Sequence, residues 1–575
     1  MLGESEGLSR RELLALSAGG LALHAAPLHP AGGRAPRNPG APAEDPLAAV
    51  DSYLARHLRE RGAPSIVLAI ADADGWTRVT AAGTDPITGA ALDPGALLQI
   101  GSLSKVFVAL AALQLVDEGV LDLDRPVREI LPWLRIDSAY QPVTVHHLLT
   151  HGAGLPRDTP VLPLDPGRPL WVSRPPGSSF AYSNLGYEIL GAVLATLDGR
   201  PLGEILRRRV LAPLGMTAAE PVIHSGIRGR FPPSYHPLHD DRPFPRHGPL
   251  TRASPITSDS PAGCVAATAA DMTRVLRLLL QRGALEEGRL VSEAAFARLA
   301  TPWIAAPSLG PGTSYGYGVM VRDEAATDRP PRRVLRHTGG MISFCSALWA
   351  DLDAGVAAFA AVPANLFGYR PSAPAAFAVA CRAAARAGAA PPPPPPPDDP
   401  FLAPEAGELV GVYSAPDGSR LAFAQHGPGL VLGVAGGTVA LQRLAPDVFL
   451  ADHPDFALHP FEFGRSGGAV TEVAHGGRWY AGARYAGPRT FDHPKAWEAF
   501  VGAYRNDSPW EGSVRVFLRK GRLWLWPRPL VPLGDTLFRI GQQAASPERV
   551  RFDAVVGGRA LRLFLSEREF LRVEE

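Results

Sequence analysis

Ile100-Gly101-Ser102-Leu103-Ser104-Lys105-Val106-Phe107 runs without a break into an apolar segment, Val108 to Val116, whose composition predicts a buried helix. Gly101 permits a tight entry, and Ser102 falls near the helix N-terminus. Residues three apart share a helical face, so Ser102 and Lys105 can touch. A hydroxyl is a poor nucleophile until a base takes its proton, and a lysine whose pKa is lowered by burial and positive neighbours can be that base. The first backbone amides and the helix dipole would then help to stabilise a developing oxyanion. By itself the Ser-x-x-Lys pattern also describes a helix cap with a solvated lysine.

Composition sharpens the choice. Of 57 basic residues only Lys105, Lys495 and Lys520 are lysine, and with 60 Gly and 59 Pro this is the bias of a GC-rich coding sequence. In that background lysine survives best where arginine cannot do its work, and arginine cannot shed its proton. Lys105 is the only lysine in the first 494 residues. The chain of 575 residues is 46% hydrophobic and 20% charged, enough for several cores and too apolar for bulk disorder. A formal charge of +1 with no long run of one sign argues against a nucleic-acid partner. Cys264, Cys345 and Cys381 are too few and scattered for a disulfide framework or zinc ribbon, and read as buried thiols.

Two further stretches supply partners for the serine and lysine. Tyr182-Ser183-Asn184 lies 80 residues after Ser102, in a loop entering the apolar helix Ile189 to Leu197. A tyrosine beside Lys105 could relay the proton to a leaving group, and an asparagine could hold a substrate amide. His337-Thr338-Gly339-Gly340 follows 155 residues after Tyr182, behind the short apolar segment Val334-Leu335. Its glycines would let a substrate lie against a strand edge, and one amide could complete an oxyanion hole. Decoys exist: Tyr504-Arg505-Asn506 also fits Tyr-x-Asn, and His224-Ser225-Gly226 and His475-Gly476-Gly477 fit His-x-Gly. Order, spacing and flanking structure carry the argument, and no tripeptide does so singly.

With these motifs in order, residues from about 45 to 385 resemble the serine β-lactamase and penicillin-binding-protein superfamily. The resemblance is to the branch with class C β-lactamases, D-alanyl-D-alanine carboxypeptidases, D-aminopeptidases and related esterases. Gly119 to Val127, Thr144 to Pro156 (TVHHLLTHGAGLP), Pro261 to Val265 and Tyr315 to Gly318 match the same branch in the same order. The resemblance implies an α+β fold, an antiparallel sheet flanked by helices, with an all-helical lobe and the site between them. It implies Ser102 as acyl-forming nucleophile, Lys105 as its proton acceptor and Tyr182 as second acid/base. Asn184 would bind substrate or Lys105, His337 would face the pocket, and the amides of Ser102 and Gly340 would form the oxyanion hole. Many class C β-lactamases carry lysine at the position of His337. Histidine occurs there in peptidase, aminopeptidase and esterase relatives, which favours a small ester or D-amino-acid amide over a β-lactam. The resemblance implies no cofactor and a small-molecule or peptide substrate. The rival readings are a β-lactamase or penicillin-binding carboxypeptidase, and a catalytically silent cell-wall-binding scaffold.

Outside the motifs, residues 1–44 read as a leader. Ser9-Arg10-Arg11-Glu12-Leu13-Leu14 before the mild apolar stretch Ala15 to Ala26 resembles a twin-arginine export signal, and the expected location is periplasmic or extracellular. That stretch is too short and interrupted to span a bilayer well, and no later stretch has 18 apolar residues free of charge. The hydrolase-like region at 45–387 opens with Asp45-Pro46 as a helix start. It continues with a hairpin of Ser65 to Ala71 and Thr77 to Ala82, a capped helix from Thr268 to Leu280, and a second hairpin of Phe344 to Ala350 and Val356 to Val362. Residues 388–400 contain the run Pro391 to Pro397, a polyproline II spacer. The tail then repeats itself. Glu408-Leu409-Val410-Gly411-Val412-Tyr413 matches Ala499-Phe500-Val501-Gly502-Ala503-Tyr504 at an offset of 91, which predicts β-barrel-like repeats at 401–490 and 491–575. The repeats resemble, in a general way, the β-barrel domains of D-aminopeptidase-like members. His147 and His151 have metal-ligand spacing but lack the accompanying glutamate, so no metal site is expected. His236, His239, Asp240, Asp241 and His247 read as a solvated loop near the pocket, and Trp510, Trp524 and Trp526 as barrel core.

Overall fold

Ile66 to Ala71 is apolar at every position because it is buried on both faces. Val67, Ala69 and Ala71 point into one core, and Ile66, Leu68 and Ile70 into another. The computed structural model describes residues 47–574, apart from 163–167, 254–255, 325–330 and 367. The leader at 1–44 and the expected helix start at Asp45-Pro46 lie outside the described residues. The central sheet has eight antiparallel strands: β1 (Ser65–Asp72), β2 (Thr77–Gly83), β3 (Ile304–Ala305), β4 (Ser314–Tyr315), β5 (Met320–Glu324), β6 (Arg332–Gly340), β7 (Cys345–Asp351) and β8 (Val356–Val362). Their order is β2-β1-β8-β7-β6-β5-β4-β3. Both hairpins read from the sequence are present, and β8 repeats the alternation of β1, with Val356, Ala358 and Ala360 on one face and Ala357, Phe359 and Ala361 on the other.

Helices cover both faces. Helices α1 (Ala48–Arg61) and α5 (Ser372–Arg386) bury the Ile66 side, and α4 (Ala269–Leu280) packs on the other through Met272, Val275 and Leu276. The Thr268 hydroxyl accepts the Asp271 N–H at 3.1 Å and caps α4 as expected. The helical lobe is built on α2 (Ser104–Asp117) and α3 (Asn184–Asp198). Helix α2 is apolar all round because it is enclosed all round, with every residue from Lys105 to Leu113 inaccessible to solvent.

The tail forms two closed eight-stranded barrels, with strands from Gly411–Ser414 to Arg478–Ala481 and from Gly502–Arg505 to Arg568–Val573. The 91-residue repeat has a structural counterpart. Tyr413 donates its hydroxyl hydrogen to the Leu409 carbonyl at 2.9 Å, and Tyr504 donates to the Phe500 carbonyl at 2.8 Å. The expected tryptophan core is corrected: Trp524 and Trp526 are half-buried and Trp510 is exposed. Phe500, Phe538, Phe552 and Phe570 fill the second barrel, where a ring without a donor leaves nothing unpaired. Trp524 instead lies 3.8 Å from the Arg519 guanidinium, which reaches Glu462 of the first barrel at 2.8 Å.

Neither connecting segment is free. The polyproline run is strapped to the hydrolase domain: Arg56 donates to the Pro395 carbonyl, and Arg61 and Arg246 both pair with Asp398. The loop expected to be solvated near the pocket is a clamp on both barrels. Asp240 pairs with Arg505 at 3.1 Å, Asp241 with Arg515 at 3.4 Å, and the Arg246 N–H donates to Gln442 at 2.6 Å. Its carboxylates are partners for the arginine-rich barrel surface.

Candidate active site

Ser102 lies in a 3-10 turn, Gly101–Leu103, that feeds α2 one residue later. Two hydroxyls anchor this turn. Ser104 Oγ donates to the Gly101 carbonyl at 2.7 Å and accepts the Val265 N–H at 2.9 Å, while Ser346 Oγ of β7 donates to the Ile100 carbonyl at 2.8 Å. Gly101 has φ +56°, and a Cβ there would stand 2.8 Å from the Gly340 nitrogen. Only glycine allows that backbone angle and that approach together. The turn is thereby pressed against the end of β6, which brings the Gly340 amide beside Gly101, the residue before Ser102.

Lys105 is wholly buried and donates to three acceptors: Ser102 Oγ at 3.2 Å, Asn184 Oδ1 at 2.8 Å and the Ala262 carbonyl at 2.9 Å. Its Nζ lies 4.9 Å from the centre of the Tyr182 ring and 5.2 Å from that of Tyr187. Asn184 is the first residue of α3, and the Ser183 hydroxyl caps that helix by accepting the Gly186 N–H at 3.0 Å. The Asn184 Nδ2 group donates to Asp158 Oδ1 at 2.6 Å. A carboxylate only accepts, so Asp158 turns the amide with its carbonyl toward Lys105. The loop under Lys105 is braced by Ser260, whose hydroxyl bonds the Glu188 carboxyl and accepts the Ala262 N–H at 3.2 Å. Burial raises the Glu188 pKa.

The structure therefore brings Ser102, Lys105, Tyr182 and Asn184 together and places His337, Gly339 and Gly340 beside them on β6. Three of these positions differ from expectation. His337 is buried and does not face an open pocket. Its Nδ1–H donates to the Thr338 carbonyl at 2.9 Å, which leaves Nε2 to accept the Tyr315 hydroxyl at 2.9 Å. Burial, and then the charge of Lys105, push its pKa down to about 3, so it is neutral. The glycine space on β6 is filled by the chain itself: a Cβ on Gly339 would collide with the Ile100 carbonyl, and one on Gly340 with the Arg370 guanidinium. At their Cβ positions these glycines admit the Ser102 turn and an arginine.

Sequence reading missed two members of the constellation. Asp158 follows the Thr144 to Pro156 stretch and carried no motif of its own. His151 was weighed only for its spacing to His147. Its carbonyl accepts the Ala181 N–H at 2.9 Å and its Nδ1 accepts the Ser183 N–H at 3.1 Å, so one residue grips the chain on both sides of Tyr182. Its ring lies 4.2 Å from the Tyr182 ring. Burial and then Lys105 hold the imidazole pKa well below the ordinary value, which keeps Nδ1 an acceptor. His147 has a local task instead: its Nδ1 accepts the Thr144 N–H at 3.1 Å and completes a capping box. Among the described residues no group of three histidine, cysteine or carboxylate side chains could hold a metal ion.

The chain also matches known proteins. The family profile described as Beta-lactamase matches residues 50–384. Penicillin-binding protein 4 of Amycolatopsis lactamdurans is 32% identical over 227 residues, which take in 37% of this chain and 58% of that protein, less than two-thirds of its length. Esterase EstB of Burkholderia gladioli is 30% identical over 334 residues, 50% of this chain and 82% of the esterase. The octameric penicillin-binding protein homologue from Pyrococcus abyssi shares the fold, with a TM-score of 0.53 at 22% identity over 76% of this chain and 99% of its own. With its profile matched over more than half its length and an esterase relative covered over four-fifths, the chain belongs to the Beta-lactamase family, among the serine hydrolases of the β-lactamase and penicillin-binding-protein superfamily.

Proposed function

We propose that the protein hydrolyses a small ester or D-amino-acid amide through an acyl-enzyme on Ser102. The observation that carries this reading is the buried Lys105 amine, 3.2 Å from Ser102 Oγ, with its other bonds on Asn184 Oδ1 and the Ala262 carbonyl. Once deprotonated, the amine keeps those two N–H bonds and aims its lone pair at the serine hydroxyl. Ser102 Oγ attacks the substrate carbonyl and its proton passes to Lys105 Nζ. The amides of Ser102 and Gly340 hold the oxyanion, and the proton reaches the leaving group by way of Tyr182. Water then attacks the acyl-enzyme along the reverse proton path, so each group ends as it began.

His337 bears on the substrate. A lysine at this place on β6 would present a fixed positive charge to an anionic substrate, whereas a neutral histidine locked to Tyr315 does not. The esterase relative points the same way, and the penicillin-binding relative keeps a β-lactam or D-alanyl peptide as the second reading. The leader at 1–44 adds a proposal of export, checked by fractionating cells that express the full chain.

The test is turnover of nitrophenyl butyrate, a D-alanine nitroanilide and a chromogenic cephalosporin by wild type, Ser102→Ala and Lys105→Arg. The ester or the anilide is expected to be turned over. Ser102→Ala should lose roughly 10³-fold or more, and Lys105→Arg should collapse likewise because arginine keeps the charge and not the base. Near-normal turnover by either variant removes the mechanism, and preference for the cephalosporin selects the second reading.

A further inference from the structure

The second barrel touches the hydrolase lobe beside the site. Trp171 Nε1–H donates to the Pro547 carbonyl at 2.8 Å, Ser173 Oγ–H to the Ala545 carbonyl at 2.8 Å, and the Arg157 backbone N–H to Glu548 Oε1 at 2.7 Å. The first two bonds dock one domain on the other. The third leads inward. Glu548 is itself held in place, because its other oxygen accepts the hydroxyl of Ser566, a buried residue of the barrel, at 2.8 Å.

On its inner side the same piece of chain carries the catalytic groups. The Arg157 carbonyl accepts the N–H groups of Asn184 at 2.7 Å and Leu185 at 3.1 Å, the first two residues of α3. The Arg157 guanidinium lies 5.0 Å from the Tyr182 ring centre, and the next residue, Asp158, orients the Asn184 amide at 2.6 Å. A single residue, Arg157, thus has a barrel carboxylate on its N–H and the start of the Asn184 helix on its carbonyl, and the Pro156 carbonyl of the peptide unit that Glu548 engages accepts the Ser183 hydroxyl at 2.6 Å. Bonds in such a chain polarise and align one another.

We infer that Glu548 is a positioning residue of the active site: through the Arg157-Asp158 strap, the second barrel sets Asn184 against Lys105 and Tyr182 in its working place. This rests on the proposed Ser102 mechanism, and it gives the barrel a catalytic purpose beyond packing. Removal of the carboxylate leaves an amide unpaired under the docked barrel and frees the strap to shift.

The test compares the full chain with Glu548→Ala, Glu548→Gln and Ser173→Ala on nitrophenyl butyrate. Glu548→Ala should lower kcat about tenfold with KM within about twofold. Glu548→Gln, whose amide oxygen can still accept the Arg157 N–H, should keep at least about half of the activity. Ser173→Ala breaks a docking bond outside the strap and should stay within about twofold of wild type. In an Asn184→Ala background, Glu548→Ala should cost nothing further. The inference is overturned if Glu548→Ala matches wild type, if Ser173→Ala falls as far, or if the two losses multiply. A crystal structure of Glu548→Ala decides independently of turnover. Asn184 should move away from Lys105, and Asn184 in its wild-type place overturns the inference even if the Ser102 reading itself fails for want of activity.

Discussion

His151 has a left-handed backbone, with φ 56°, and its ring accepts the Ser183 N–H at 3.1 Å. Asparagine tolerates the same backbone angle, and its carbonyl can stand near the place of Nδ1. His151→Asn should therefore retain much of kcat. His151→Leu strains the backbone, leaves the Ser183 amide unpaired and should lose roughly 10²-fold, with KM changed little because the role proposed for Tyr182 is proton transfer. Parallel kinetics on the two variants check this. Equal losses would show that the ring face against Tyr182, and not the hydrogen bond, is what matters.

At the scale of elements, glycine does two different jobs at helix boundaries. Gly199 ends α3 with φ 76° and nothing within 4 Å of a would-be Cβ. Gly101 combines φ 56° with backbone contact to β6. Gly199→Ala should cost about 1–2 kcal/mol of stability, from the left-handed conformation alone, and leave kcat unchanged. Gly101→Ala should cost more than that and also cut kcat by roughly 10²-fold or more, because the nucleophile turn must back away from Gly340. Urea denaturation beside ester turnover separates the two effects. Retention of kcat by Gly101→Ala would mean that the approach to β6 does not position Ser102.

The whole molecule carries buried histidines whose protonation opposes folding. His57 lies between the hydroxyls of Tyr53 and Tyr369, at 3.3 and 2.7 Å, and burial followed by the charge of Arg61 lowers its pKa to about 3. His337 is likewise lowered to about 3, and His151 is held well below its ordinary value. A histidine in the unfolded chain takes up its proton near pH 6.5, so below that pH the unfolded state binds protons that the native state refuses. Stability should be full above pH 6.5 and fall as pH drops toward 4, with a slope approaching about 1.4 kcal/mol per pH unit for each such histidine. Melting temperatures between pH 7 and 4.5 should show this fall, and His57→Gln should make it shallower. An unchanged slope in that variant would place the sensitivity elsewhere. Contacts also join the barrels: Lys520, one of the three lysines, sits among the rings of Trp479, Tyr485 and Phe491 with its ammonium 2.7 Å from Glu472 of the first barrel.

What the sequence by itself determined was local or periodic. A buried strand shows as an unbroken apolar run, as in Ile66 to Ala71. An enclosed helix shows as Val108 to Val116, a capped one as Thr268 to Asp271, and a repeated barrel as the 91-residue offset of its opening motif. The scarcity of lysine marked Lys105, and three spaced motifs named the residues that gather around it. Tertiary structure decided everything that depends on chains meeting across long separations. Asp158 has no signature, since any carboxylate looks alike until an amide faces it. His151 shows only its spacing to His147 until the 181–183 loop folds over it. His337 looks like a pocket residue until Tyr315 takes its free nitrogen, and Glu548 lies 391 positions from the Arg157 amide it accepts. Periodicity records which side of an element is buried, and it contains nothing about which distant group will lie against it. For that reason the meeting of Ser102 and Lys105 was legible in the chain, and the groups that hold them in place were not.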